Sequence, residues 1–512
     1  MSEIDPAQAA VVTLLGDPGT FGLSAGEVKR IDTHGAHVFL AGERVYKIKR
    51  PVKYPYLDYS TLAKREAACR TELEVNRRFA SELYLGVVPI MRRGGRLALG
   101  GAGEPVEWAV EMRRFGETLE EAAKRGGIGD AFARALGEAV AAAHRTIPVV
   151  EVAPWIAVLG KYLDDAAAAF RAAPEVVAAK DGATLIEALR ASLGLIRPLL
   201  MARGKAGFVR HGHGDLHLCN VAMIDGKPVL FDAIEFDPLI ASGDVLYDLA
   251  FLLMDLVDRK LDRAANIVFN RYLLAAGAEE HLDALAALPF FLALRATIRA
   301  RVALDKRKLV EGKERASADD EAHEYLALAT LLIAPPKPRL VAVGGLSGAG
   351  KSALAASLAP FLLPAPGAVH LRSDIERKRL FNVGETEKLS QDAYSQEATA
   401  RVYARFQDLA RRTLRAGHSA IVDAVHARPE EREAIEAVAK EAGVKFDGIW
   451  LEAELDTRVA RVGGRVADAS DADAKVAGEQ EKFDAGAISW SKVEAGAELT
   501  AVTAAARRAL SL

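Results

Sequence analysis

The string "HGHGDLHLCN", residues 211–220, sets three imidazoles, a carboxylate and a carboxamide within ten positions. Two chemistries fit it. His211, His213 and His217 can share one metal ion if the backbone turns suitably, and the string comes within one residue of the His-x-His-x-Asp-His spacing of dinuclear metal sites. Leu216 is the residue that breaks that spacing. Alternatively, Asp215 stands five residues before Asn220, so one loop can present a catalytic carboxylate and a metal-binding amide, as phosphoryl transfer to a hydroxyl requires.

The rest of the chain favours the second chemistry. A metal nest needs further ligands, and no later His or Cys cluster supplies them. Phosphoryl transfer finds its other parts in order. The strand "KPVLFD" ends at Asp232, placed to coordinate Mg²⁺. Upstream, Lys47 lies on the strand "RVYKIK" and can hold the α- and β-phosphates of ATP. Its expected ion-pair partner is Glu72, in the helix "TELEVNRRF", with Glu66 and Glu74 as rivals. Cys219 reads as a small packed residue rather than a nucleophile.

A second set begins at "GGLSGAGKS", which contains Gly345-x-x-x-x-Gly350-Lys351-Ser352 between an apolar strand and an Ala/Leu-rich helix. Gly345, Gly348 and Gly350 let backbone N–H groups converge on phosphate oxygens, while Lys351 reaches the β- and γ-phosphates and Ser352 ligates Mg²⁺. The strand "AIVDAV" brings Asp423 to the same metal shell. Ala424 follows where ATPase motors place a water-activating acid, which favours transfer to a substrate over hydrolysis. Asp374, in "RSDIERKRLF", falls at a strand's C-terminal end, where open α/β sheets bind substrates. Arg377, Lys378 and Arg379 follow it, read either as functional or as a solvated basic face. Arg458, Arg461 and Arg465 surround a Gly pair and suggest a lid; Arg461 and Arg465 are the candidates to meet the transferring phosphoryl group.

These residues need two different scaffolds. Before "IAPPKPRL", residues 333–340, the chain shows a hairpin from "AHVFL" and "RVYKIK", helical patterns around 60–82 and 117–146, and a strand pair "RLAL" and "EWAVEM" between them. Beyond residue 155 it is mainly helical, with strands near 221–232. The mixed-charge run ahead of the prolines reads as exposed helix or loop. After the prolines, strand and helix alternate, which implies βαβ units and a parallel sheet. The boundary therefore divides residues 1–333 from 338–512. With 512 residues, half of them hydrophobic and 27% charged, the chain has ample core for both.

A net charge of −3 without a basic arm argues against nucleic-acid or membrane partners. Two cysteines, Cys69 and Cys219, suggest a reducing compartment, and "MSEIDPAQAA" lacks the basic and apolar regions of a signal peptide. Residues 352–371 carry no charge, but Pro360, Pro364, Pro366 and Gly367 interrupt them, so they read as buried helix, turn and strand. A cytoplasmic location is expected.

The motifs carry resemblances. "HGDLHLCN", "LFDAIEF" and "DVLYDLAFLL" resemble the catalytic loop, metal segment and following helix of the aminoglycoside phosphotransferase-like kinases, over about residues 30–260. That implies a protein-kinase-like bilobal α+β domain, with Asp248 tying down the catalytic loop, His213 orienting its backbone and His217 lining the site. The chain departs from a Gly-rich nucleotide loop, offering only Gly35 in "DTHGAH". Residues 338–512 resemble the P-loop small-molecule kinases, the AAA-type group that includes gluconate kinase and zeta-toxin-like kinases. That implies a P-loop NTPase fold, a doubly wound parallel α/β sheet, with Asp374 binding or deprotonating the acceptor hydroxyl. Together the halves resemble a bacterial family of fused phosphotransferase/ATP-binding proteins. The implied activity is a kinase with two Mg·ATP sites, each acting on a small-molecule hydroxyl. A nucleotide-driven regulatory switch, or a nucleic-acid end kinase in the P-loop half, are the alternatives.

Overall fold

The computed structural model describes residues 5–6, 8–24, 26–54, 57–464, 469–483 and 485–512. The chain forms two compact units, one from residues up to Asp164 together with Arg197–Asp255, the other from Asp165–Ile196 together with Leu256–Leu512.

Among the described residues, the first unit has a six-stranded antiparallel sheet. Its strands are β1 (Val28–Asp32), β2 (Ala36–Ala41), β3 (Arg44–Lys49), β4 (Tyr84–Arg93), β5 (Arg96–Leu99) and β6 (Glu104–Arg113), in the order β1-β2-β3-β6-β4-β5. The expected hairpin is β2–β3, turned at Gly42, whose φ of 55° a side chain would strain. Strand alternation puts Tyr46 and Ile48 against a core with Phe39 and Ile90, and turns Val45, Lys47 and Lys49 to the opposite face. Helix α1 (Leu62–Ala80) covers that opposite face. Thr61 caps it by accepting from the Lys64 N–H at 3.3 Å. Its buried residues Arg65, Cys69, Glu72 and Asn76 recur at helical spacing, so Glu72 and Asn76 stand one turn apart on one stripe.

The strand pair expected from "RLAL" and "EWAVEM" is not formed. β5 pairs with β4, and β6 runs between β3 and β4. Pro89 hid β4 from the sequence reading, because proline cannot donate to a ladder; irregularities at Tyr84/Gly86 and Ile90/Met91 accompany it. The helical pattern at 117–146 is two helices, Leu119–Gly126 and Asp130–Thr146, parted where Gly127 takes φ 83°. Deeper in the unit lie β7 (Val209–His211), β8 (Val221–Ile224), β9 (Lys227–Leu230) and β10 (Ser242–Asp244), followed by the helix Val245–Asp258. The 211–220 loop links β7 to β8 and closes on a 3₁₀ turn, Leu218–Asn220.

The second unit contains the parallel sheet. Its strands β11 (Arg339–Gly345), β12 (Val369–Arg372), β13 (Ala420–Asp423), β14 (Lys445–Glu452) and β15 (Ser491–Glu494) run in the order β12-β13-β11-β14-β15. The last strand, four residues with only Val493 buried, carried too weak a pattern to be expected. Val341, Val343, Ile421 and Ile449 form its core with the helices Lys351–Leu358 and Leu499–Leu510. This unit also includes helices from before the prolines: α2 (Asp262–Ala276), Leu288–Arg307 and Gly312–Ile333, the last being the mixed-charge run. The stretch Glu280–Arg307 is long and apolar enough to cross a membrane, and 78% of its most apolar window is buried.

Candidate active sites

In the first unit Lys47 Nζ lies 3.0 Å from Glu72 Oε1 and 2.7 Å from Asp232 Oδ1. The expected partner is therefore the observed one; Glu66 and Glu74 pair instead with Arg70 and Arg78. Sequence reading missed a second lysine. Lys49 Nζ meets Glu72 Oε2 and Glu235 Oε1, both at 2.5 Å, and Tyr59 donates to Glu235 at 3.2 Å. The spacing of two in "YKIK" was the available signal. Burial opposes charge on Glu72, but the two ammonium groups hold its pKa down at about 2. Burial likewise works against Lys47, yet Asp232 and Glu72 raise its pKa well above the ordinary value.

Asp232 adopts φ 60°, unusual for a residue with a side chain. What surrounds it over-determines that geometry. Its N–H donates to Tyr84 Oη at 3.1 Å, the next N–H donates to Asn76 Oδ1 at 2.8 Å, and Ile234 N–H donates to His213 O at 3.0 Å. Asn76, also unanticipated, thus holds the segment of Asp232 from the same helix stripe that presents Glu72.

The 211–220 loop is held from below by Asp248, which accepts the N–H groups of His213 and Gly214 at 2.9 Å each and pairs with His144 Nε2 at 3.1 Å. Asn220 Nδ2 donates to Asp215 Oδ2 at 3.0 Å, and His217 Nε2 approaches the same oxygen at 3.3 Å. Phe231 N–H donates to Asn220 O at 3.0 Å, so the end of the loop is tied to the residue that precedes Asp232. Burial opposes a proton on His217, but Asp215 and Cys219 raise its pKa. Cys219 Sγ contacts Glu120 at 3.0 Å. Gly35 has no left-handed φ, and the β1–β2 turn is closed by Thr33 with Ala36.

The histidines do not converge as metal ligands. His211 Nδ1 lies 3.4 Å from Arg78, His213 Nε2 is bonded to Phe231 O at 2.9 Å, and His217 turns to Asp215. Among the described residues no group of three His, Cys, Asp or Glu side chains can hold a metal ion. Asn220 and Asp232 instead offer the hard oxygen donors that suit Mg²⁺.

In the second unit Gly345, Gly348 and Gly350 take φ values of 136°, 86° and 96°. A Cβ at Gly345 would stand 2.7 Å from Leu451 O, and one at Gly348 would stand 2.5 Å from Arg458 O. At Gly345 and Gly348 the loop therefore admits only glycine. Gly348→Ala is expected to destabilise the chain by about 1–3 kcal/mol and to weaken nucleotide binding there; denaturant titration and calorimetry measure both, and unchanged values would refute the cradle. Lys351 Nζ donates to Leu346 O at 3.1 Å. Ser352 Oγ donates to Asp423 Oδ1 at 3.1 Å, again a hard oxygen set that fits Mg²⁺. His370 Nε2 approaches Asp423 Oδ2 at 2.6 Å. Burial opposes charge on Asp423, and His370, Arg372 and Lys351 overcome it to lower the pKa.

Asp374 lies in the first turn of helix α4 (Ser373–Leu380), directly after β12, as expected. (Helix α3 is Lys351–Leu358.) Burial and the neighbouring Asp423 carboxylate push its pKa up, against Lys351 and Arg372. The residues after it are not a solvated basic face. Arg377 and Lys378 are buried; Arg377 donates to Ala393 O at 2.7 Å, Lys378 to Glu387 O at 2.5 Å and Asp471 at 3.1 Å, and Arg379 to Leu274 O at 3.0 Å.

The suggested lid divides. Arg458 is 1% exposed, with its guanidinium on Ser347 O, Ala477 O, Ala453 O and Glu481, so it supports the phosphate loop from behind and does not reach a phosphoryl group. Arg461 lies over the loop, with Nη1 3.5 Å from Ala349 O. Arg465 lies outside the described residues. A cavity of about 360 Å³ opens beside Gly350, Ala353, Leu451, Arg461 and Leu499.

Residues 59–288 match the family described as phosphotransferase enzyme family, and residues 340–484 match AAA domain. Residues 59–288 accordingly form a phosphotransferase domain of protein-kinase-like fold, and residues 340–484 a P-loop kinase-like domain. Among solved structures, the chain is similar to a choline kinase from Cryptosporidium parvum Iowa II (12% identity, 64% of this chain and 96% of that one, TM-score 0.40). It is also similar to a gluconokinase from Sinorhizobium meliloti 1021 (16% identity, 34% and 92%, TM-score 0.26). Among curated proteins, Rv2004c of Mycobacterium tuberculosis and Mb2027c of Mycobacterium bovis are each 30% identical over 458 residues, spanning 87% of this chain and 88% of theirs. The chain belongs to the family of these mycobacterial proteins, with a phosphotransferase segment followed by an AAA-domain segment.

Proposed function

We propose that the protein is an ATP-dependent phosphotransferase with two Mg·ATP sites, each transferring the γ-phosphoryl group to a hydroxyl of a small molecule. The observation that carries this reading is the assembly of Lys47, Glu72 and Asp232 from three distant segments, with Asn220 O bonded to the N–H of Phe231, the residue before Asp232, and Asp215 bonded to Asn220. Bound Mg²⁺ would neutralise charge on the transferring phosphates.

In the first unit, Lys47 takes the α/β-phosphates, kept in place by Glu72. Asn220 and Asp232 hold the metal, and Asp215 orients the acceptor hydroxyl and takes its proton. In the second unit, the glycine loop and Lys351 grip the phosphates, and the base rests in the cavity beside Arg461. Ser352 and Asp423 hold the metal, and Arg461, with Arg465 as a further candidate, meets the transferring group. Asp374 serves the acceptor there. Its raised pKa suits a base, which binds a proton more strongly than an ordinary carboxylate. The absence of an acid at Ala424 supports transfer over hydrolysis. The acidic overall charge supports small-molecule acceptors over nucleic acid, and the cysteine usage a cytoplasmic location.

Screening metabolite pools for ATP-dependent gain of one phosphate tests the activity. Asp374→Ala should lower acceptor-stimulated turnover at the P-loop site by roughly 10²-fold or more while ATP still binds. Brisk hydrolysis without acceptor, unchanged in Asp374→Ala, would instead indicate a nucleotide switch.

A further inference from the structure

We propose that Asn270, on a helix inside the phosphotransferase-matched segment, is a positioning residue for the metal carboxylate of the P-loop site, acting through His370 on Asp423. The inference rests on the P-loop site binding a metal–nucleotide complex, as proposed above.

The argument begins with an edge. Among the described residues β12 is the outermost strand of the parallel sheet, paired only on its inner side, with β13. There Val369 N–H donates to Ser419 O at 2.9 Å. Alternation then turns Ala368 O and His370 N–H outward, where an open edge would leave them without a strand. The side chain of Asn270, on α2, supplies both missing partners. Its Nδ2 donates to Ala368 O at 3.1 Å, and its Oδ1 accepts the His370 N–H at 2.7 Å. A carboxamide has the same donor and acceptor as a peptide group, so Asn270 stands where the next strand would have been. Asn266, one turn earlier, adds a second donor to Ala368 O at 3.0 Å, and its Oδ1 accepts from Asn270 Nδ2 at 3.1 Å.

The backbone position fixed in this way is the one whose ring meets Asp423. His370 Nε2 lies 2.6 Å from Oδ2, while Ser352 engages Oδ1 at 3.1 Å. The two oxygens are thereby divided, and the carboxylate plane is set so that Oδ1 faces the metal-side hydroxyl. Arg372 Nε stands further away, 3.9 Å from Oδ2. A strand displaced along or away from the sheet would carry the imidazole off Oδ2 and leave the carboxylate to rotate. Partners that orient a metal ligand in this way typically govern metal affinity by 10–100-fold. The phosphotransferase match runs to residue 288, so a residue from that segment would be part of what completes the P-loop site. A mere edge cap would affect stability alone.

The test uses the full-length protein carrying Asp232→Ala, which removes the first site's metal carboxylate. Mn²⁺ is titrated into the ADP complex and the free ion is followed by electron paramagnetic resonance. Asn270→Leu and His370→Leu should each weaken Mn²⁺ binding by roughly 10–100-fold, while ADP binding in EDTA stays near its starting value. The double variant should lose little more than either single one, because both act along one path. If Asn270→Leu does not fold, Asn270→Ser takes its place with the same expectation. Unchanged Mn²⁺ affinity in the folded Asn270 variant, or fully additive losses, would overturn the inference while leaving the P-loop site intact. No Lys351-dependent ADP binding at all would overturn the functional reading, and this inference with it.

Discussion

Asp215→Asn is expected to reduce phosphoryl transfer by the first unit by roughly 10²–10⁴-fold, with Mg·ATP affinity near that of the unaltered protein. The reason lies in what the change removes and what it leaves. An amide cannot take the acceptor's proton. Its oxygen can still accept the bond that Asn220 Nδ2 now makes to Oδ2 at 3.0 Å, so the loop keeps its shape. Lys47, Glu72 and Asp232, the residues proposed for nucleotide and metal, keep their ion pairs. Asp232→Ala should give the opposite pattern. It removes a charge beside Lys47 and an oxygen donor for Mg²⁺, so Mg·ATP affinity itself should fall. Single-turnover transfer and calorimetric titration on both variants separate the two effects. If Asp215→Asn retained transfer, or lost nucleotide affinity as much as Asp232→Ala does, Asp215 would not be the acceptor-side group.

Lys351→Ala should eliminate nucleotide binding at the P-loop and leave one remaining event that depends on Lys47. Titration of the unaltered protein with a non-hydrolysable ATP analogue should resolve two sites. Truncating one partner of a desolvated, hydrogen-bonded charge pair typically costs about 2–5 kcal/mol, enough to move the P-loop event out of the measurable range. The glycine cradle cannot compensate, because its backbone N–H groups position phosphate without supplying a full charge. Lys47→Ala should remove the other event. A single site in the unaltered protein, lost entirely with Lys351, would show that the first unit does not bind nucleotide.

How much of this was legible in the residues differed between the sites. The P-loop could be read almost completely, because its geometry is local. Three glycines, a lysine and a serine within eight residues need only a strand before them and a helix after, and each observed φ explains its glycine. The 211–220 string was legible in its residue types but not in its pairings. Lys47 and Glu72 could be named as partners, with Glu66 and Glu74 as rivals, from the order of Lys, Glu, Asp-x₄-Asn and Asp, and the burial of Glu72 against the lysine decides among them. Lys49 shares their face by strand alternation and could have been found the same way.

Other elements could not have been read from the chain. Arg458 and Arg461 are three residues apart and alike in sequence, yet one is buried behind the loop and the other lies over it. Only the packing of the helix Leu455–Gly463 decides which is which. Arg377, Lys378 and Arg379 look like a solvated face until the carbonyls that receive them come from Ala393, Glu387 and Leu274. Pro89 concealed a strand, and with it the pairing of two others.

The sequence by itself determined the local machinery, meaning the phosphate loop, the order of chemical groups and the alternation that implies a parallel sheet. Those depend on φ preferences and periodicities set by neighbours a few residues apart. Tertiary structure alone decided which arginine lies over the glycine loop, which asparagines hold the backbone around Asp232 and His370, and that α2 joins the unit of the P-loop rather than that of the catalytic loop. The asparagine contacts join residues 157 and 100 positions apart, and a linear pattern carries no record of where such donors and acceptors meet.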